Sequence, residues 1–161
     1  MSLGDFARPA DILLYRVTPH SGVVAKIIAI AQMLRGEGKG SVLYSHASIV
    51  SNHTGYQIES VWPQVRKYAI DWTDPCLELR RLPDMSDERA ALILIEAETS
   101  IGEWYNIGDM FFGWFQIPHA RICTRLVADC AAKAGYWLGR DAGVFLSPDE
   151  LADDPQLERV A

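Results

Sequence analysis

The chain of 161 residues is 49% hydrophobic and 22% charged, enough apolar material for one domain with a true core and not a disordered composition. A net charge of −6, with basic residues gathered only at Arg80–Arg81 and Arg121/Arg125, speaks against a nucleic-acid partner. Three irregularly spaced cysteines form neither a disulfide framework nor a zinc site, so a reducing, cytoplasmic setting without metal or organic cofactor is expected.

Met1 to Pro9 lacks the form of a secretory leader, and the longest apolar stretch, Val23 to Leu34, is interrupted by Lys26 and Gln32 and too short to span a bilayer. Asp11 to Val17 reads as a buried strand. After the breakers Pro19 and Gly22, Val23 to Arg35 reads as an apolar helix, and Gly36 to Gly40 as a loop. Leu43 to Val50 and Tyr56 to Trp62 are strands joined by the turn Ser51–Gly55, followed by a strand pair near Arg66–Ile70 and Cys76–Leu82. Ser86, with Asp87 and Glu88 behind it, caps a helix to about Thr99. A short helix is expected over Tyr105–Phe112, an aromatic loop over Gly113–Pro118, and a helix over Arg121–Ala134. Ser147-Pro148-Asp149-Glu150 is a capping box with proline at the first helical position. The order of elements predicts an α+β domain spanning 1–161, a mostly antiparallel sheet packed against helices.

Cys123 stands at the start of the predicted 121–134 helix, where free backbone N–H groups and the helix dipole favour a thiolate. A nucleophilic sulfur also needs a base, and the base an orienting partner. His20 and His53 fall in turns, and His119 in a loop without rigid support; His46 lies inside a strand. Folding the hairpin about the Asn52–His53 midpoint sets His46 opposite Glu59, with Cβ atoms ~5 Å apart on one sheet face. A carboxylate there can hold the imidazole tautomer, with Gln57 on the same strand face as the second choice. The bland alternatives stand beside this reading. Cys123 could be a small core hydrophobe like Cys130, seven positions on, and His46/Glu59 a plain cross-strand ion pair. Cys76 has no identifiable partner.

At these residues the chain resembles the circularly permuted NlpC-like, papain-related cysteine hydrolases, in particular the YiiX-like bacterial branch. The matching pieces are Ala10–Tyr15, Ser45–Val50, Gly55–Glu59, Ile122–Val127 and Leu146–Leu151. Thr124 stands where that pattern has serine, and Ala10-Asp11 where it has glycine-aspartate. The resemblance implies a permuted papain-like fold in which a cysteine helix packs on a sheet carrying the histidine and the third polar residue. It further implies a Cys123-His46-Glu59 triad, with the oxyanion held by the Cys123 backbone N–H and Tyr15 as a candidate second donor. Trp62 and Trp114 are candidate substrate-binding residues.

The expected activity is hydrolysis of an amide, in a cell-wall-type peptide or related small amide, through a thioester. Trp104–Phe115, with six aromatics in twelve residues, is either core or the lining of a groove. As a groove it favours an acyl-bearing ligand, and an exposed aromatic patch could touch a membrane surface. Two further readings stay open: a lipid acyl hydrolase or acyltransferase, and a non-catalytic binding module with a relict site. The relict predicts a buried Cys123 or a His46 out of reach, whereas an enzyme predicts three converging side chains.

Overall fold

The computed structural model describes residues 2–18, 43–105, 120–139 and 146–160. The strands are β1 (Ile12–Arg16), β2 (Tyr44–Val50), β3 (Tyr56–Val61), β4 (Gln64–Ala69), β5 (Leu77–Arg81), β6 (Trp104–Tyr105), β7 (Ala120–Arg121) and β8 (Glu158–Arg159). The helices are α1 (Asp87–Thr99), α2 (Cys123–Lys133) and α3 (Pro148–Ala152). One open sheet has the order β7-β6-β4-β3-β2-β1-β5-β8; seven strands pair antiparallel and β7 joins β6 in parallel. The fold is therefore mixed α and β on a mostly antiparallel sheet.

Alternation along the strands separates two apolar layers. Ile12, Leu14, Ala47, Ile49, Ile58 and Val65 meet Ile93 and Ala97 of α1, Leu126, Val127, Cys130 and Ala131 of α2, and Leu151 of α3. On the other face Leu13, Val50, Leu77 and Leu79 lie under Leu3, Ala7 and Trp72. Cys130 is thus core, as its spacing suggested. Helix α1 begins where the Ser86 hydroxyl accepts the Arg89 N–H, and α3 where Ser147 and Glu150 form the reciprocal box.

Three expectations are corrected. The cysteine helix begins at Cys123, because Ala120–Arg121 extend as β7 instead of forming a first helical turn. Trp104–Tyr105 form β6 rather than opening a helix at Tyr105; β4 offers an edge and Gln64 pairs with Trp104. The sheet also draws three short strands from the second half of the chain, where helices alone were expected. The expected helix Val23–Arg35, the 36–40 loop, most of the 104–115 aromatic segment, His20, Trp114 and His119 lie outside the described residues. Among the described residues no helix is long and apolar enough to cross a membrane.

Candidate active site

The β2–β3 hairpin pairs Ser48 with Glu59, Ile49 with Ile58 and Val50 with Gln57. Its pivot therefore falls at His53–Thr54, one residue beyond the expected midpoint, and Ser48 rather than His46 lies opposite Glu59. A one-residue shift of the pivot slides the pairing by two residues, and a strand of period two keeps the same face. Glu59 becomes the diagonal neighbour of His46, and its Oε2 still lies 3.0 Å from His46 Nε2. Glu59 is buried, and its other oxygen, Oε1, accepts from Arg66 Nε and Nη2, each at 2.9 Å. Arg66 stands directly across the β3–β4 pair from Glu59.

Cys123 reaches this pair because β2 and β3 part beyond Ser48 and Glu59. Along β2, Val50 N–H donates to Asp11 on the β1 side and Ser51 N–H to Tyr56 on the β3 side. By the same alternation Ala47 N–H points toward β3, where the ladder has ended. The Cys123 sulfur takes that N–H instead, along with the Thr124 N–H and a hydrogen bond with His46. With Nε2 engaged by Glu59, Nδ1 is the ring nitrogen left for the sulfur. Ile122, at the N-cap of α2, has no side chain able to cap, so the sulfur of the next residue serves a backbone donor that the cap leaves open.

The electrostatics follow from these contacts. Burial is the largest influence on the Cys123 thiol and disfavours its ionisation; the His46 hydrogen bond and charge and the two backbone N–H groups outweigh it and hold the thiol below its ordinary value. Burial likewise disfavours the charged imidazole, but bonds to Cys123 and Glu59 prevail and push His46 up to about 9. Glu59 is held below the usual carboxylate range: against burial, His46 acts most strongly and Arg66 adds to it. The three groups favour a thiolate, an imidazolium and a carboxylate in a row. That is the charge state a nucleophilic sulfur requires.

Tyr15 pairs with His46 across β1–β2, and the two rings lie 5.4 Å apart, tilted by 44°. Its hydroxyl donates to Gln57 Oε1 at 2.6 Å, and Ser48 Oγ donates to the same oxygen at 2.5 Å. The phenol's only proton is thereby committed to Gln57, so Tyr15 is placed to support the imidazole rather than to serve as the expected oxyanion donor. Burial first, and the nearby Glu59 charge after it, push this phenol up to about 12, so it stays protonated. Gln57 anchors Tyr15 and does not contact His46 as its orienting partner. Trp62, two-thirds exposed at the β3–β4 turn, takes no part in the hydrogen bonds described for Cys123, His46 or Glu59.

Two residues near the site escaped the sequence reading. Tyr105 is half-buried within reach of the Cys123 charge, and burial together with that charge pushes its phenol well above the ordinary value. Its place depends on a two-residue strand that no periodicity could announce. Arg66 escaped although the sequence carried a signal for it: a tight turn at Trp62–Pro63 sets it opposite Glu59. Among the described residues no cluster of His, Cys, Asp and Glu is suited to a metal ion. No protein-family model matches the chain, and no curated protein matches it.

Proposed function

We propose that the protein is a cysteine hydrolase of the permuted NlpC-like, papain-related kind, cleaving an amide through a thioester. The observation that carries this reading is the hydrogen-bonded row Cys123–His46–Glu59, assembled from residues far apart in sequence. The Cys123 thiolate attacks the carbonyl carbon, forming the carbon–sulfur bond as the carbonyl π electrons move to oxygen. On collapse of that intermediate the carbon–nitrogen bond breaks and the imidazolium of His46 gives its proton to the departing amine. Water, deprotonated by His46, then attacks the thioester, and the released acid leaves Cys123 as a thiolate paired with protonated His46. Glu59 keeps the imidazole in one orientation and balances its charge throughout. The same steps with an ester or thioester carbonyl describe a lipid acyl hydrolase or, with an alcohol or amine in place of water, an acyltransferase.

A second reading has its own observation. Cys123 is only 6% exposed, the feature expected of a binding module with a relict site. Against it stands His46 within hydrogen-bond reach of both partners. Alkylation of Cys123 by iodoacetamide across pH separates the two. A hydrolase reacts well below the free-thiol value of ~8.5 and loses that reactivity in His46→Ala; a relict leaves the native thiol unlabelled. Peptide amides of the cell-wall type, phospholipids and acyl thioesters, each assayed against Cys123→Ala, then assign the substrate class.

A further inference from the structure

The carboxyl group of Glu59 has two equivalent oxygens until something distinguishes them. Arg66 does so: Nε and Nη2 both bind Oε1, and Oε2 alone faces His46. We infer that Arg66 is a positioning residue of the proposed site, tying down one oxygen of Glu59 so that the other is aimed at the His46 imidazole and stays charged. The inference rests on the nucleophilic-thiol reading above and adds a fourth member to the row.

Three features separate this from an ordinary surface ion pair, which contributes little. The carboxylate is buried, so it depends on its partners for the hydrogen bonds that water would otherwise supply. The guanidinium approaches in a fixed direction, because Glu59 and Arg66 are paired residues of β3 and β4. The arginine is itself held, its guanidinium carbon 4.8 Å from the centre of the Tyr68 ring, two positions along the same strand. Among the described residues, the ionisable groups facing Glu59 are His46 from β2, Arg66 from β4 and Tyr15 from β1, and of these only Arg66 carries a permanent positive charge. Without it, Glu59 accepts a proton more readily on acidification and ceases to stabilise the imidazolium. A less stable imidazolium moves the ionisation of Cys123 to higher pH.

The test is the rate of Cys123 alkylation by iodoacetamide from acid to neutral pH, with thermal unfolding recorded alongside. Arg66→Met is expected to move the acid limb up by about one pH unit, about a tenfold loss of rate at a pH on the limb. Arg66→Lys, which keeps the charge without the fork, is expected to recover part of that shift, a response that a purely structural role would not produce. Should Arg66→Met fail to fold, Arg66→Gln replaces it, since amide hydrogen bonds survive there while the charge does not. A folded variant without the charge whose limb matches wild type overturns the inference while leaving the hydrolase reading intact. A wild-type limb indifferent to His46→Ala overturns both.

Discussion

A thiol as deeply enclosed as Cys123 pays for its burial unless donors surround it, and here the donors come from the backbone as much as from His46. The N–H of Ala47 is available because the β2–β3 ladder stops short, and that of Thr124 because a helix has just begun. The pair of shifts has a defined consequence for stability. Folding raises His46 from its usual ~6.5 to about 9, so its contribution is full below the lower value and lost as pH rises through the upper. Folding lowers Cys123, so its contribution is full above ~8.5 and lost as pH falls through the depressed value. Just below ~8.5 one declines as the other grows, so the two slopes offset and stability is expected to level off in a plateau there. Cys123→Ala should replace the plateau with a fall, visible in urea midpoints taken across that window. Glu59→Gln bears on the imidazole alone. Removing the carboxylate charge is expected to lower the His46 titration midpoint by about one unit, followed by NMR of the ring protons. A midpoint still near 9 would mean that Glu59 does not govern His46.

At the level of elements, strand alternation was more legible than strand pairing. The face shared by His46 and Glu59 follows from period two, whereas the register depends on which residues form the turn, and the sequence Ser51–Gly55 offers no Asn-Gly pair to fix it. The expected pivot was one residue early, yet the contact survived because a slide of two residues preserves the face. Helices α1 and α3 were legible from their caps, since Ser86 and Ser147 are followed by acidic residues within the first turn. The short strands β6, β7 and β8 were not, because two residues carry no periodicity and exist only where an edge receives them. Cap chemistry yields a direct expectation. Ser147→Ala should cost about 1 kcal/mol in chemical denaturation. The loss should propagate, because α3 also carries Asp149, whose Oδ1 accepts the Tyr44 N–H at the start of β2. Exchange of the Tyr44 amide should accelerate in this variant; unchanged protection there would show that α3 does not hold the β2 end in place.

Across the whole molecule, one buried carboxylate joins half of the sheet. Glu78 of β5 accepts from Arg16 of β1 and from the Tyr44 hydroxyl of β2, binds Arg80 beside it through Oε1 at 2.6 and 2.5 Å, and lies 3.7 Å from Arg159 of β8. Arg80 and Arg159 face one another across the β5–β8 pair, an arrangement of like charges that the carboxylate between them makes tolerable. Glu78→Gln removes a negative charge from among three guanidinium groups and is expected to destabilise the fold, by less than the ~3–5 kcal/mol of a fully buried pair because Arg16 and Arg159 are partly exposed. The sign of the pH dependence follows from the direction of its shift. Burial alone would raise Glu78, but Arg16 first, then Arg80, Tyr44 and Arg159, hold it below the usual carboxylate range. Its contribution is therefore complete above the unfolded value of ~4.3 and disappears as pH falls through the depressed folded value. Urea unfolding of wild type and Glu78→Gln should give a constant gap above pH ~5 that closes on acidification. A gap that persists undiminished at pH ~2 would place the stabilisation in the shape and hydrogen bonds of the side chain, which glutamine shares, and not in its charge.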